Sequence, residues 1–262
     1  MNKIGILSGR VVPENYERYQ VFPQNWELDI TKARDIGFEF VELVYDADGE
    51  VMELLDHADR FREEKVGLSA DSLCVAALTS IPLLDSKRRA DILKDSFSLA
   101  KELSINMIVI PLLEEHAPAT LVDMERILVE LVSLADATSY SGCLALESDF
   151  DSFDLKSSLE KLEIQQQVGL CLDTGNICFL GKNPAEEILA AGDALFHVHL
   201  KDRTFGGENC KPGDGDADFR SIFHMLKKVN YEGLCALETP YGNEACQSAE
   251  ENLSYFKRIW TR

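Results

Sequence analysis

The sequence predicts an α/β protein built as a single (β/α)8 barrel, and three observations support this fold class. Apolar, strand-like segments alternate with helix-like segments eight times along the 262 residues, which is the pattern of parallel β/α units. Several strands are continuous runs of Val, Ile, Leu and Cys, as in a sheet covered on both faces. The length and the 45% hydrophobic content suit one large core. We therefore expect one TIM barrel domain over residues 1–262.

The predicted elements follow one another along the whole chain. The strands are expected at residues 3–9, 38–45, 67–78, 105–113, 143–148, 168–174, 195–202 and 233–239. Helices between them show an apolar stripe, for example at Leu121, Met124, Leu128, Leu131 and Ala135, and at Phe219, Ile222, Phe223, Leu226 and Val229. Asn183 before a proline, and Asp218 before the second stripe, are expected helix N-caps. An open doubly wound sheet is the alternative, but the GxGxxG turn that such sheets often carry is absent.

Composition indicates which partners and which cell compartment to expect. The formal charge is −20, from 26 basic and 46 acidic residues, which opposes binding to anionic polymers, so we expect no nucleic-acid partner. The seven cysteines are scattered and odd in number, which is typical of reduced thiols in a cytoplasmic protein. No stretch approaches about 18 uninterrupted apolar residues and no secretory core is visible, so we expect no membrane span and no targeting segment.

Four strand ends carry side chains that can bind a metal ion. Glu147, Asp173, His199 and Glu238 each lie where an apolar strand gives way to a loop, at spacings of 26, 26 and 39 residues. A β/α unit of an eight-fold barrel averages about 31 residues, so these positions are expected at one end of neighbouring strands. Three carboxylates and an imidazole suit one divalent cation such as Mn²⁺, Mg²⁺, Co²⁺ or Zn²⁺. Helix capping or pairing with lysine is the alternative role of such acids.

The seventh strand, FHVHLKD, holds two histidines on one face because side chains alternate along a strand. We assign His199, nearer the loop, to the metal, and His197 to a buried supporting or core role. Glu42, near the end of the second strand, is expected to contact substrate or assist the site, with a buried ion pair as the alternative. The cluster Glu114, Glu115 and His116 is interpreted as a charged loop and receives no metal.

Two long loops, at residues 10–25 and 203–217, follow strands at the expected catalytic end. Arg10, Lys201 and Arg203 could bind a phosphate or sugar hydroxyls. Backbone amides of Gly213 and Gly215 could approach a phosphate, since barrel enzymes often bind phosphate after strands seven and eight. Turn formation and solvated charge are the alternative interpretations of these residues.

Several short segments, in a fixed order, carry a family resemblance. They are GILSGRVVP, QVFPQNW, GFEFVELVYD, ALES, LDTGN, HVHLKD followed by PGDGDADF, and ALETP. Together they resemble the xylose isomerase-like TIM barrel superfamily, in particular its sugar-phosphate isomerase/epimerase branch, which includes L-xylulose-5-phosphate 3-epimerase-like, hexulose-6-phosphate isomerase-like and D-tagatose 3-epimerase-like enzymes. The resemblance runs nearly end to end.

This resemblance implies a metal site and a reaction. The ligands of that branch map onto Glu147, Asp173, His199 and Glu238. The implied enzyme is a metal-dependent isomerase or epimerase of a sugar or sugar phosphate that works through an enediolate, with Glu147 and Glu238 as acid and base on opposite sides of the substrate. Members are often dimers or tetramers, so a homo-oligomer is possible.

The chain also departs from the family pattern, which leaves alternatives open. Asn176 stands where some ketose epimerases carry a histidine, and it is expected to hold a substrate hydroxyl rather than a metal. Arg203 follows the metal histidine slightly earlier than in free-sugar epimerases. Inosose dehydratases, which are lyases, use a similar metal site. An endonuclease IV-type nuclease would need further histidines that the sequence does not place suitably, and a non-catalytic sugar-binding barrel would leave the metal quartet without a task.

Overall fold

The chain folds into a closed barrel of eight parallel strands, as expected from the alternation of β and α segments. The computed structural model describes residues 2–13, 20–46, 48–59, 61, 68–81, 86–242 and 244–260. The barrel strands are β1 (Ile4–Leu7), β2 (Phe40–Val44), β3 (Ser69–Cys74), β4 (Met107–Leu112), β5 (Cys143–Ser148), β6 (Val168–Asp173), β7 (Leu195–Leu200) and β10 (Leu234–Leu237). They hydrogen-bond in the order β1-β10-β7-β6-β5-β4-β3-β2. The predicted (β/α)8 TIM barrel is therefore confirmed.

Helices cover the outside of this sheet. They are α1 (Trp26–Ile36), α2 (Ser86–Glu102), α3 (Leu121–Ala137), α4 (Ser152–Lys161), α5 (Thr174–Phe179), α6 (Pro184–Ala191), α7 (Phe219–Lys228) and α8 (Ala245–Trp260). The expected N-caps are present, since the Asn183 side chain accepts from Ala185 N and the Asp218 side chain accepts from Arg220 N. The stripe of α3 is buried at Met124 and Leu128. Sequence periodicity thus placed the faces of these helices correctly.

The interior of the barrel is packed separately from the layer between sheet and helices. Inward-facing residues form their own apolar cluster, which comprises Leu7, Phe40, Val44, Cys74, Ala76, Val109, Ala145, Cys171 and Ala236. The ring of Phe40 fits there because the neighbouring strand β1 carries a glycine beside it. A Cβ added at Gly5 would lie 2.5 Å from the Phe40 ring. The polar residues of β2 and β7 described below share this interior.

One predicted element has the wrong bounds, and one short element was not predicted. The third strand, expected at 67–78, ends at Cys74 and is followed by a 3₁₀ helix over Ala76–Ser80. Beyond Cys74, Val75 N still donates to the Val109 carbonyl at 3.0 Å, and the chain then turns so that Ala77 N donates to the Tyr45 carbonyl at 2.8 Å. In addition, the loop after β7 forms a short antiparallel ribbon from β8 (Asp202–Arg203) and β9 (Asn209–Cys210) that the sequence did not predict.

All seven cysteines are unpaired, and Cys74, Cys171, Cys178 and Cys235 are buried. Among the described residues, no helix is both long and apolar enough to cross a membrane.

Candidate active site

The four predicted metal ligands meet at the carboxyl end of the barrel. Register places Asp173 of β6 beside His199 of β7, and His199 beside Ala236 of β10, two residues before Glu238. His199 Nδ1 lies 3.1 Å from Glu238 Oε2 and 3.6 Å from Glu147 Oε2. All four residues are at most 4% exposed. Strand-end spacing in the sequence therefore identified residues that are neighbours in space.

The donor set fits a divalent cation. Glu147, Asp173 and His199 each offer a ligand atom, and these atoms lie within 4.8 Å of one another. Asp173 Oδ2 is buried and accepts no hydrogen bond from the described residues. Carboxylate oxygens with one imidazole nitrogen suit Mg²⁺, Mn²⁺, Co²⁺ or Zn²⁺. Glu238 lies beside this trio through its contact with His199 and would complete the predicted quartet.

Local structure aims Asp173 at this centre. Helix α5 begins directly after β6, and Asp173 is its N-cap: Oδ1 accepts hydrogen bonds from Gly175 N and Asn176 N, both at 2.8 Å. Because Oδ1 is held by the helix N-terminus, Oδ2 faces the centre of the acidic cluster, which is formed by Glu147, Asp173 and Glu238. The alternative role considered for such acids, helix capping, is thus combined here with a position in the site.

Glu42 holds His199 through the ring nitrogen Nε2, which is the one farther from Glu147 and Glu238. Its Oε1 lies 2.8 Å from His199 Nε2, its Oε2 lies 2.8 Å from His197 Nε2, and Ser72 Oγ donates to Oε2 at 2.6 Å. Glu42 and both histidines are fully buried. A carboxylate on the far nitrogen of a metal-binding histidine fixes the ring and its tautomer. The geometry therefore favours a supporting role for Glu42 over the direct substrate contact that we considered, and it places His197 in the core.

The two proposed catalytic glutamates have different electrostatic surroundings. Burial raises the pKa of Glu147 to about 8, and the nearby Asp173 adds to this effect. Burial also acts to raise the pKa of Glu238, but the Lys201 ammonium and His199 outweigh it and hold the pKa well below its usual value. Two carboxyl groups whose acidities are pushed apart are suited to acid and base roles.

Lys201 lies inside the acidic cluster. Its Nζ is 2.8 Å from Glu238 Oε1 and 3.4 Å from Asp173 Oδ2, and its side chain is only 8% exposed. Gln20 Nε2 also donates to Glu238 Oε1, at 3.0 Å. The predicted substrate-binding lysine is thus placed as a countercharge of the site.

Asn176 and Arg203 form a hydrogen-bonded chain that ends on Glu147. Asn176 Nδ2 donates to Glu147 Oε1 at 2.9 Å, and its Oδ1 accepts from an Arg203 guanidinium nitrogen at 3.0 Å. Arg203 also donates twice to the Gly207 carbonyl and lies 3.9 Å from the ring centroid of Phe179. Both predicted residues therefore reach the cleft, where they orient one of the glutamates.

Arg10 does not line the cleft, but its buried charge helps to lower the pKa of Glu238. Its side chain is 2% exposed, lies 5.6 Å from the ring centroid of Tyr241, and is not among the described residues that line the cleft. The start of its loop is held by Asp29, whose carboxylate accepts from the backbone of Gly9, Val11 and Val12. Residues 14–19 of the same predicted loop lie outside the described residues.

A cleft of about 480 Å³ opens over Glu147 and Glu238. Its described lining comprises Gln20, Asp46, Cys74, Ala76, Thr79, Ser80, Pro111, Leu113, Glu114, His116, Glu147, Asn176, Lys201, Arg203, Asn209 and Glu238. The volume suits a small-molecule ligand. Sequence reasoning missed Gln20, Asp46 and Asn209 individually, although Gln20 and Asn209 belong to the two long loops that it singled out.

The predicted phosphate-binding amides are already used within the chain. Gly213 N and Gly215 N both donate to Asp202 Oδ2, at 2.8 and 3.1 Å, and Ala217 N donates to Asp202 Oδ1. These glycines therefore wrap an internal carboxylate.

Comparison with known proteins identifies sugar-metabolising relatives. Over 249 residues the chain is 25% identical to the putative L-ribulose-5-phosphate 3-epimerase SgbU of Escherichia coli, covering 85% of this chain and 86% of that protein. An inosose dehydratase of Clostridium botulinum is 34% identical over 89 residues, which is 27% of this chain and 30% of that enzyme.

Solved structures share the fold over the whole length. An L-ribulose 3-epimerase aligns with a TM-score of 0.74 at 20% identity, covering 100% of this chain and 95% of that one. The IolI protein with a binding zinc atom aligns with a TM-score of 0.71 at 18% identity, covering 98% and 96%. The model of the xylose isomerase-like TIM barrel family matches residues 30–259. The chain therefore belongs to the xylose isomerase-like TIM barrel family.

Proposed function

We propose that this chain is a divalent-metal-dependent epimerase or isomerase of ketose sugars. The observation that carries the proposal is the meeting of Glu147 and Glu238 around His199 and Asp173 at the carboxyl end of the barrel, with the acidities of the two glutamates shifted in opposite directions. The similarity to epimerases and the zinc bound by the related IolI protein support it.

The residues present fit one divalent ion held by Glu147, Asp173, His199 and Glu238. When bound, such an ion supplies Lewis-acid stabilisation of the negative charge that develops on a ketose carbonyl as a proton leaves the adjacent carbon. Glu42 would keep His199 in the tautomer that presents Nδ1 to the ion, because the Glu42 carboxylate accepts a hydrogen bond from Nε2–H.

The two glutamates would move the proton. Glu238, next to the Lys201 ammonium, is held as a carboxylate and can remove the proton from carbon. Glu147, which accepts from the neutral amide of Asn176, can donate a proton to the other face. In the reverse direction the roles exchange, and in an isomerisation one glutamate would return the proton to the neighbouring carbon.

Deuterium incorporation tests this proposal directly. Metal-loaded and chelator-treated protein would be incubated in D₂O with a panel of pentuloses, hexuloses and their phosphates, and NMR would follow label at individual carbons. We expect metal-dependent label at one carbon and a loss of about 100-fold or more in Glu147→Gln and Glu238→Gln. Glu251→Gln is the matched control, because it removes an exposed acid that pairs with Lys211 away from the site. Label that survives both active-site substitutions would refute the assignment.

Dehydration of a cyclitol-like substrate is a second candidate, favoured by the local similarity to inosose dehydratase. The same glutamate that removes a proton beside a carbonyl could do so before loss of a neighbouring hydroxyl as water. Loss of water from a keto-cyclitol can be monitored by the rise of enone absorbance. Such a rise, without deuterium label in any ketose, would select this reaction.

A further inference from the structure

We infer that the substrate of this site is a ketose that carries no phosphate group. The inference rests on the proposed function and concerns the end of the substrate remote from the reacting carbons. It is drawn from three features of the described residues: the backbone amides after β7, the cations of the cleft, and the outer lining.

The amides that would bind a phosphate are occupied by a fixed anion. Asp202 is fully buried and accepts three backbone hydrogen bonds from the loop after β7. The loop is wrapped closely around it, since a Cβ at Gly215 would lie 2.2 Å from Asp202 Oδ1. A concave set of N–H groups is the usual cradle of a phosphate in such loops. Here a substrate phosphate would have to displace a buried carboxylate, which is also negatively charged.

Among the described residues, the lysine and the arginine that line the cleft are committed to the site itself, and the buried Arg10 helps to lower the pKa of Glu238. Lys201 Nζ contacts Glu238 Oε1 and Asp173 Oδ2. Arg203 donates to Asn176 Oδ1 and to the Gly207 carbonyl. Turning Lys201 toward a phosphate would take its charge away from Glu238, and turning Arg203 would remove the anchor of Asn176. Binding a dianion through either side chain therefore conflicts with the proposed chemistry.

The outer lining combines two acids and apolar side chains with Arg203, whose guanidinium is already bonded to Asn176 and Gly207. The cleft continues, past Leu113, Glu114, Asn176 and Arg203, into a cavity of about 350 Å³ that also touches Asp149, Phe179 and Leu180. Glu114 is exposed there, and its backbone N–H donates to Asp149 Oδ2 at 2.8 Å. A sugar hydroxyl can donate to such carboxylates, whereas a phosphate would meet like charge and hydrocarbon. Like-charge contacts of this kind discriminate between otherwise similar ligands.

Matched substrate pairs test the inference. The metal-loaded protein would be assayed by deuterium exchange with L-ribulose and L-ribulose 5-phosphate, and with D-fructose and D-fructose 6-phosphate. We expect kcat/KM for the better free ketose to exceed that for its phosphate at least about tenfold. Equal or higher kcat/KM for the phosphate would overturn the inference and leave the proposed function standing. Exchange with no member of either pair, in protein shown by calorimetry to bind one metal ion, would count against both.

A charge variant tests the cause. Glu114→Gln combined with Asp149→Asn keeps the side-chain sizes and the carbonyl acceptor for Glu114 N while removing two negative charges. The ratio of kcat/KM for phosphate to that for free ketose should rise about threefold or more in this variant. It should stay unchanged in Glu251→Gln, which removes an exposed acid elsewhere. An unchanged ratio in the double variant would show that the outer carboxylates do not exclude phosphate.

Discussion

Replacing Lys201 by methionine tests whether this lysine serves as a countercharge of the metal site. Lys201 Nζ lies 2.8 Å from Glu238 Oε1 and 3.4 Å from Asp173 Oδ2, and its side chain is 8% exposed. Removing one partner of a buried ion pair costs about 3–5 kcal/mol because the other charge remains unpaired. Lys201→Met should therefore lower the stability of chelator-treated protein by about this amount, a shift in melting temperature of roughly 10 °C.

A divalent ion should rescue most of this loss. The ion would supply positive charge to the same carboxylates, so at saturation we expect the destabilisation to shrink by at least about half. Removal of a neighbouring cation should also tighten metal binding, by about tenfold or more. Urea unfolding with and without Mn²⁺, together with a metal titration, measures both effects.

The control and the refuting result are clear. Lys211→Met removes an exposed lysine, 60% accessible and paired with Glu251, and should change little in either condition. If Lys201→Met destabilises equally with and without metal and leaves metal affinity unchanged, Lys201 contributes packing only, and its role as a countercharge is wrong.

Four further predictions follow from single features. Burial raises the pKa of Asp29 from 3.8 to about 6, so the native state binds more protons in this window and stability should fall by about 3 kcal/mol as pH rises through it; urea unfolding of Asp29→Asn should lack this slope, and a persisting slope would contradict the assignment. Burial acts to lower the pKa of His199, but the neighbouring Cys171 and Glu42 hold it well above its usual value; metal binding needs the neutral ring, so at pH 7 it should release about one proton, and equal calorimetric heats in buffers of different ionisation enthalpy would contradict this. Asn176→Leu should lower kcat/KM about tenfold by removing the hydrogen bond to Glu147, and an unaffected rate would rule out this orienting role. Gly5→Ala should cost about 1–3 kcal/mol through its clash with Phe40, and Phe40→Leu in that background should recover part of the loss; additive losses in unfolding experiments would argue against the clash.

The strand ends were predictable from the sequence because parallel strands in a barrel share one polarity. Apolar runs located β5 and β6 to within a residue, and the acids at their ends, Glu147 and Asp173, had to lie at the same rim. Alternation along β7 also placed His197 and His199 on the same face, with His199 nearer the end of the strand. Local pattern and a repeating topology were sufficient for this part of the site.

The contacts across the barrel were not predictable in the same way. The partners of Glu42 depend on the closure of the sheet, and 157 residues separate Glu42 from His199. The register shift between Leu170 and Cys171 cannot be seen in the apolar pattern of β6. The capture of the Gly213 amide by Asp202 likewise depends on how the loop folds back, which composition does not encode.

The hydrogen bonds of Glu42 have a consequence for how this protein can evolve. They join β2 to β7 across the barrel, although β1 and β10 lie between these strands in the sheet. The position of His199 therefore depends on the shape of the whole barrel, and substitutions that alter the inner wall of the barrel should also shift this proposed metal ligand. Loops that carry Gln20 and Asn209 are free of this constraint. We expect descendants of this chain to change sugar specificity through substitutions in these loops, while the hydrogen bond between Glu42 and His199 is retained.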